Sequence, residues 1–230
     1  MLHAKLHGRR KGRPLRAGLQ RLMQDVLPQF ALELPEAPTL DPKTQFDPPP
    51  SAVWLEIGFG GGEHLARQAS ESPDVGLIGC EVFENGVATL LRAVESEALR
   101  NVRIFTADAR LLLQRLPARS LARAFLLFPD PWPKRRHAAR RFLQPETLDL
   151  LSHALSDDAE FRAASDDPKM QAWMLSRLLE RPEFIWTATS AEDACRRPDD
   201  WSPTRYEAKA VAAGRTPIYL SFRRRPRSGT

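Results

Sequence analysis

The stretch Val53-Trp-Leu-Glu-Ile-Gly-Phe-Gly-Gly-Gly62 decides the fold. Val53 to Ile57 is an apolar run of strand length, interrupted only by Glu56, and such a run fits a strand buried on both faces. Gly58 and Gly60 to Gly62 then allow a tight turn. They also let a ligand approach the backbone where a helix begins, here near residues 62–71. A dinucleotide fingerprint starting at Gly58 needs its third glycine at residue 63. The chain has Glu63 there, and an acid repels a pyrophosphate. Glu56 points the same way: a carboxylate before the turn suits a cationic group such as an ammonium or sulfonium.

Downstream, short apolar runs alternate with amphipathic ones. Strands are predicted at 75–79, 102–106, 122–128, 159–164 and 218–222, and helices at 84–97, 109–116, 145–155 and 168–181. That alternation predicts an α/β fold, a mostly parallel sheet with helices on both faces. Upstream, Leu15, Leu19, Leu22, Met23, Val26 and Leu27 recur at helical spacing, and Pro28 is expected to end that helix. Residues 35–50 hold six prolines and read as an extended linker. The expected organisation is a basic tail, short helix and linker over 1–50, and the main domain over 51–230.

A chain of 230 residues matches roughly one domain. Its 42% hydrophobic and 27% charged residues are ordinary for a soluble protein. No apolar run approaches the ~18 residues of a membrane span, and no apolar segment follows the basic N-terminus as in a signal peptide. Cys80 and Cys195 make neither a disulfide framework nor a metal knuckle. A cytoplasmic protein without membrane or metal partners is expected, as monomer or weak homodimer. Residues 1–16, 134–141 and 223–227 carry fifteen Lys or Arg and no acid, although the whole chain has a net charge of only +5. Basic segments on an acidic body predict a polyanion partner. Residues 1–16 should be disordered when free.

In a parallel sheet the ligand sits beyond the carboxyl ends of the strands, so the residues there are the candidates. The second strand ends in Glu81, twenty residues after Gly61, where an acid takes ribose hydroxyls. The third ends in Asp108, placed to read an adenine edge or to cap the next helix. The fourth runs into Phe128-Pro-Asp-Pro-Trp-Pro-Lys134. Its three prolines hold Asp130 and Trp132 on a rigid loop, and rigidity serves a group that must align a reaction. Lys134, Arg135, Arg136, Arg140 and Arg141 leave this loop and are expected to track phosphates. Five such contacts predict a log K against log[salt] slope of about −4.

These residues resemble the bacterial tRNA (guanine-N7-)-methyltransferase family. Glu56-Ile-Gly-Phe-Gly60, Glu81, Asp108 and the Phe-Pro-Asp-Pro-Trp-Pro-Lys segment carry the resemblance. Ser165-Asp166 with Trp173-Met174-Leu175 is similar to the family's T-D…W-M-L stretch, and Thr204-Arg-Tyr-Glu207 to its T-[KR]-[FY]-E signature. The resemblance spans roughly 51–222. It implies a Rossmann-like class I methyltransferase with a mostly parallel seven-stranded sheet. It implies S-adenosyl-L-methionine as donor and N7 of the variable-loop guanine of tRNA (tRNA position 46) as acceptor. By that resemblance Glu56, Gly58, Gly60, Glu81, Asp108 and Asp130 are cofactor contacts, with Asp130 also the catalytic acid. Lys134, Asp166, Thr204, Arg205, Tyr206 and Glu207 are substrate contacts.

The chain departs from the family pattern at Ser165, at the insertion-like Asp199-Asp-Trp-Ser-Pro203 and at Gly214-Arg-Thr-Pro217. Thr204 and Glu207 also make a T-x-x-E helix start. His64 is expected to pack or to face solvent. Two other readings compete: an amino-group nucleic-acid methyltransferase, whose D-P-P-[YW] motif Asp130-Pro-Trp132 loosely resembles, and a non-catalytic RNA-binding protein of the same fold.

Overall fold

The computed structural model describes residues 9–201 and 204–228, apart from the side chain of Tyr206. Residues 1–8 of the expected tail lie outside that range. The strands are β1 (Ala52–Ile57), β2 (Val75–Cys80), β3 (Val102–Phe105), β4 (Leu121–Leu127), β5 (Leu155–Ser165), β6 (Phe184–Trp186) and β7 (Ile218–Arg224). They form one sheet in the order β3-β2-β1-β4-β5-β7-β6. β1 to β5 are parallel neighbours. β7 enters antiparallel between β5 and β6.

The helices are α1 (Ala17–Arg21), α2 (Leu27–Phe30), α3 (Glu63–Glu71), α4 (Glu84–Ser96), α5 (Ala109–Leu113), α6 (Pro145–Ala154), α7 (Pro168–Leu179), α8 (Ala191–Cys195) and α9 (Arg205–Ala212). Alternate strand residues separate the faces. Val53, Leu55, Ile57 and Phe161 pack with Leu112, Leu151 and Met174 from α5, α6 and α7. Leu77, Val102 and Ile104 pack on the other face with Leu65 and Leu90 from α3 and α4. The second face also holds Phe125 and Leu127, which cluster with Trp201, and Phe125 meets His64 of α3.

The N-terminal helix does not stop at Pro28. A π-helical turn at Leu22–Val26 joins α1 to α2, and Pro28 falls in the first turn of α2, whose last residue is Phe30. A proline is tolerated where its missing N–H has no helical partner to lose, and the widened turn makes that room. The Pro-rich stretch is neither wholly extended nor detached: Pro42–Gln45 form a 3-10 turn. Leu32 N–H donates to Ile104 O at 2.8 Å beside a parallel bridge from Ala31 to Ile104. Leu40 and Phe46 are buried in the same core as β1.

Part of the C-terminal basic run is spent on the molecule itself, while Arg223 and Arg225 stay exposed. Arg224 is buried, and Arg225 Nε donates to Pro182 O at 2.9 Å. Arg227 Nη2 donates to Ser152 O at 2.7 Å and His153 O at 3.0 Å, the end of α6. Guanidinium groups there satisfy carbonyls that a helix end leaves without partners.

Candidate active site

The carboxyl ends of β1, β2 and β4 and the residues after β3 open onto one cleft of about 380 Å³. Gly58, Gly60 and Gly62 have φ of 72°, 58° and 77°, the left-handed region that glycine enters without steric cost. Nothing lies within 4 Å of where a Cβ on Gly58 would stand, so the bare backbone faces open cleft. Glu56, Glu81, Asp108 and Asp130 all border it.

Glu81 is held by main chain. Gly60 N–H donates to its Oε2 at 2.8 Å, and Val82 and Phe83 N–H donate to Oε1 at 2.7 and 2.9 Å. Burial pushes the Glu81 carboxyl above its ordinary range; those three donors pull it back, and the negative charge of Asp130 adds to the rise. Asp108 caps α5, accepting from Arg110 N–H at 3.0 Å, and Arg110 Nε lies 2.9 Å from the same oxygen. The capping reading of Asp108 is thus present alongside its place on the cleft wall.

Asp130 is exposed at the rim. The loop that carries it is bent by more than its prolines: Phe128 has φ 49° and Trp132 φ 43°. Bulky residues rarely adopt positive φ, and such strain gathers where surrounding structure over-determines a functional loop. Arg141 supplies that surrounding structure. It was expected on phosphates; instead it is 8% exposed. Its Nε donates to Pro131 O at 3.1 Å, its Nη2 to Trp132 O at 3.3 Å, and its guanidinium lies 4.7 Å from the Trp173 ring centre. Carbonyls inside a triple-proline loop have no ladder to join, so a buried donor fork takes them. Lys134, Arg135 and Arg136 are exposed, and Arg140, which borders the cleft, lies 4.8 Å over Trp132.

Of the residues expected on the substrate side, Thr204 borders the cleft. It is the N-cap of α9, accepting from Glu207 N–H at 3.2 Å. Glu207 is buried and does not complete the capping box: it accepts from Tyr219 OH at 2.6 Å and Arg197 Nη1 at 2.8 Å. Burial and the Glu207 charge raise the Tyr219 phenol above its ordinary value. Arg205 pairs with Glu63 of α3 at 2.7 Å, and Asp166 with Arg215 at 2.6 Å. The Tyr206 side chain lies outside the described residues. Among the described residues no cluster of three metal-ligating side chains occurs, and no helix is long and apolar enough to cross a membrane.

A protein family described as "Putative methyltransferase" matches residues 50–220. The chain is 51% identical over 228 residues to the tRNA (guanine-N(7)-)-methyltransferase of Rhodospirillum rubrum, covering 98% of this chain and 89% of that one. It is 50% identical over 222 residues to the protein of that name from Paramagnetospirillum magneticum, covering 96% and 92%. The chain belongs to the tRNA (guanine-N7-)-methyltransferase family. Its backbone is similar to the 16S rRNA methyltransferase KamB (TM-score 0.56, 16% identity, 80% of this chain and 91% of that one). It is also similar to an rRNA methylase from Streptococcus thermophilus (0.51, 11%, 76% and 87%). At those identities the likeness speaks for the class I fold.

Sequence reasoning missed three parts of this methyltransferase's site. His64 is buried against Glu56, Nδ1 to Oε2 at 2.8 Å. Asp200 is clasped by Arg162 and Arg123 at 2.6 and 3.1 Å, which seats Trp201 on the sheet. Asp200 and Trp201 of the insertion-like stretch are thereby packed onto the sheet. The third part is the tail. Residues 9–13, expected to be disordered, lie along α4: Gly12 N–H donates to Asn85 Oδ1, and Asn85 Nδ2 to Arg13 O, both at 2.8 Å. Arg9 reaches the cleft wall. A Cβ on Gly12 would stand 2.6 Å from Asn85 Oδ1 and 2.8 Å from Phe83 Cζ. Gly12→Ala is therefore expected to unlatch the strap and raise the initial rate of trypsin cleavage after Arg10 or Lys11 by about fivefold. An unchanged cleavage rate would refute the latch.

Proposed function

We propose that this cytoplasmic methyltransferase, acting as a monomer or weak homodimer, moves a methyl group from S-adenosyl-L-methionine to N7 of the variable-loop guanine of tRNA. One observation carries the reading: four carboxylates from four adjacent strand ends border a single cleft, and a cationic run leaves its rim.

The donor set supports S-adenosyl-L-methionine there. Acids, and not a phosphate-binding turn, surround the open space beside Gly58, which suits a ligand with ammonium and sulfonium charges. When bound, that group supplies an electrophilic methyl on sulfur. Glu56 would hold the ammonium. Glu81, whose oxygens among the described residues accept from backbone N–H groups, would accept the ribose hydroxyls. Asp108 would lie on the adenine side.

N7 of guanine has an in-plane lone pair and no proton, so no base is required. The protein's task is alignment and electrostatics. Asp130 would hold the guanine edge and favour the positive charge the base acquires. Trp132 offers a face for stacking, worth roughly 1–3 kcal/mol per base. Thr204 to Glu207 and Asp166 would complete the substrate side.

The test is transfer from labelled S-adenosylmethionine to unmodified tRNA, with the product nucleoside identified by mass spectrometry. 7-Methylguanosine, sensitive to borohydride and aniline, is the expected product. An amino-methylated base would shift the reading to the amino-group class, and donor binding without transfer would leave a binding role. With Arg141 withdrawn into the loop, Lys134, Arg135, Arg136 and Arg140 remain for phosphates. The log K against log[salt] slope of tRNA binding is then expected to be about −3.5. A slope near zero would remove this run from the interface.

A further inference from the structure

We propose that His64 is a positioning residue for the methyl donor: its ring aims the Glu56 carboxylate into the cleft, and Trp201 braces that ring from the substrate side. This rests on the functional reading above, since it concerns the same cleft.

Glu56 is only 3% exposed, yet it borders the cleft. A carboxylate so buried needs a partner. Among the described residues, His64 Nδ1 at 2.8 Å is the hydrogen-bond partner its side chain has. A carboxylate oxygen accepts, so Nδ1 is the donor. The ring itself has one slot to stand in. Glu56 and Phe125 are paired across β1 and β4. His64 meets Phe125 edge-on with ring centres 4.7 Å apart, and Trp201 closes the far side at 5.2 Å.

Packing alone does not account for a histidine here. Among the described residues, His64 Nε2 is buried without a hydrogen-bond partner, and so is the Trp201 indole nitrogen. An unpaired buried nitrogen is costly, and an apolar ring would fill the slot without one. The imidazole's polar capacity is spent on Glu56. Holding an acid in one orientation before a ligand arrives cuts the ordering cost of binding. The brace runs on: Trp201 meets Tyr219 at 5.4 Å, and Tyr219 OH donates to Glu207 of α9. The donor-side carboxylate and the substrate-side helix thus share one buried stack.

Two variants separate positioning from packing. His64→Phe keeps a ring in the slot and removes the donor. His64→Asn loses the ring but sets an amide N–H where Nδ1 stood. The readouts are calorimetric binding of S-adenosylhomocysteine, KM for each substrate, and Tm. His64→Phe is expected to weaken S-adenosylhomocysteine binding and raise KM for S-adenosylmethionine by about tenfold or more, with KM for tRNA unchanged and Tm lowered because the Glu56 carboxylate loses its partner. His64→Asn is expected to recover most of that binding despite a lower Tm. Wild-type binding in the Phe variant, or an Asn variant that binds no better than Phe, overturns the proposal alone. A wild-type protein that binds no S-adenosylhomocysteine overturns the methyltransferase reading and this proposal with it.

Discussion

Asp130→Asn is expected to lower the rate of methyl transfer by roughly 10²–10³-fold, the usual loss when one preorganised charge or donor leaves a reacting centre. The substitution keeps the side chain's shape and removes its charge. The loop should stay in place, because Pro129, Pro131, the positive φ at Phe128 and Trp132 and the clasp of Arg141 set it independently of the carboxylate. Donor binding should change little. Asp130 repels Glu81, so losing its charge, if anything, leaves Glu81 easier to ionise. Single-turnover transfer beside calorimetry with S-adenosylhomocysteine reads both quantities. A variant with full activity at every pH would show that the Asp130 charge takes no part in the reaction.

Arg141→Lys is expected to cost about 2 kcal/mol of stability, in the range for lost hydrogen bonds to a buried charged group, and to cut transfer at least about tenfold through the loop it holds. A lysine offers one point charge. It lacks the planar fork that serves Pro131 O and Trp132 O together beside the Trp173 ring. Removing the charge altogether separates this role from phosphate binding. If Arg141 neutralised a phosphate, Arg141→Met would make the salt slope of tRNA binding shallower by about 0.9. An unchanged slope with lowered Tm and slower transfer is the result the geometry calls for. Chemical denaturation, filter binding across salt and single-turnover rates give the three readouts.

Much of the fold is legible because parallel strands buried on both faces leave apolar runs that local spacing reveals. β1 to β4 and the helices α3 and α4 fall within a residue or two of the sequence reading, while α5 ends at Leu113, three residues before the expected 116. β6 escaped it: three residues, Phe184–Trp186, are too few to show a period. The strand ends were legible for a related reason. A glycine turn, an acid after a strand and a triple-proline loop are each local, and the parallel topology gathers them at one edge.

The sequence by itself determined the sheet's core strands, the acids at their ends, the constrained Asp130 loop and the family resemblance that relatives now bear out. Tertiary structure alone decided which polar groups those elements spend on one another. Arg141 turned inward, Arg224 and Arg227 were taken up by the α6 end, His64 found Glu56, and Asp200 carried Trp201 to the sheet. The reason is physical. A turn or a strand is specified by residues a few positions apart, whereas a long charged side chain takes whatever carbonyl or carboxylate the folded chain presents. Gln68 donating to Asp200 O, 132 positions away, has no signature in either stretch of sequence.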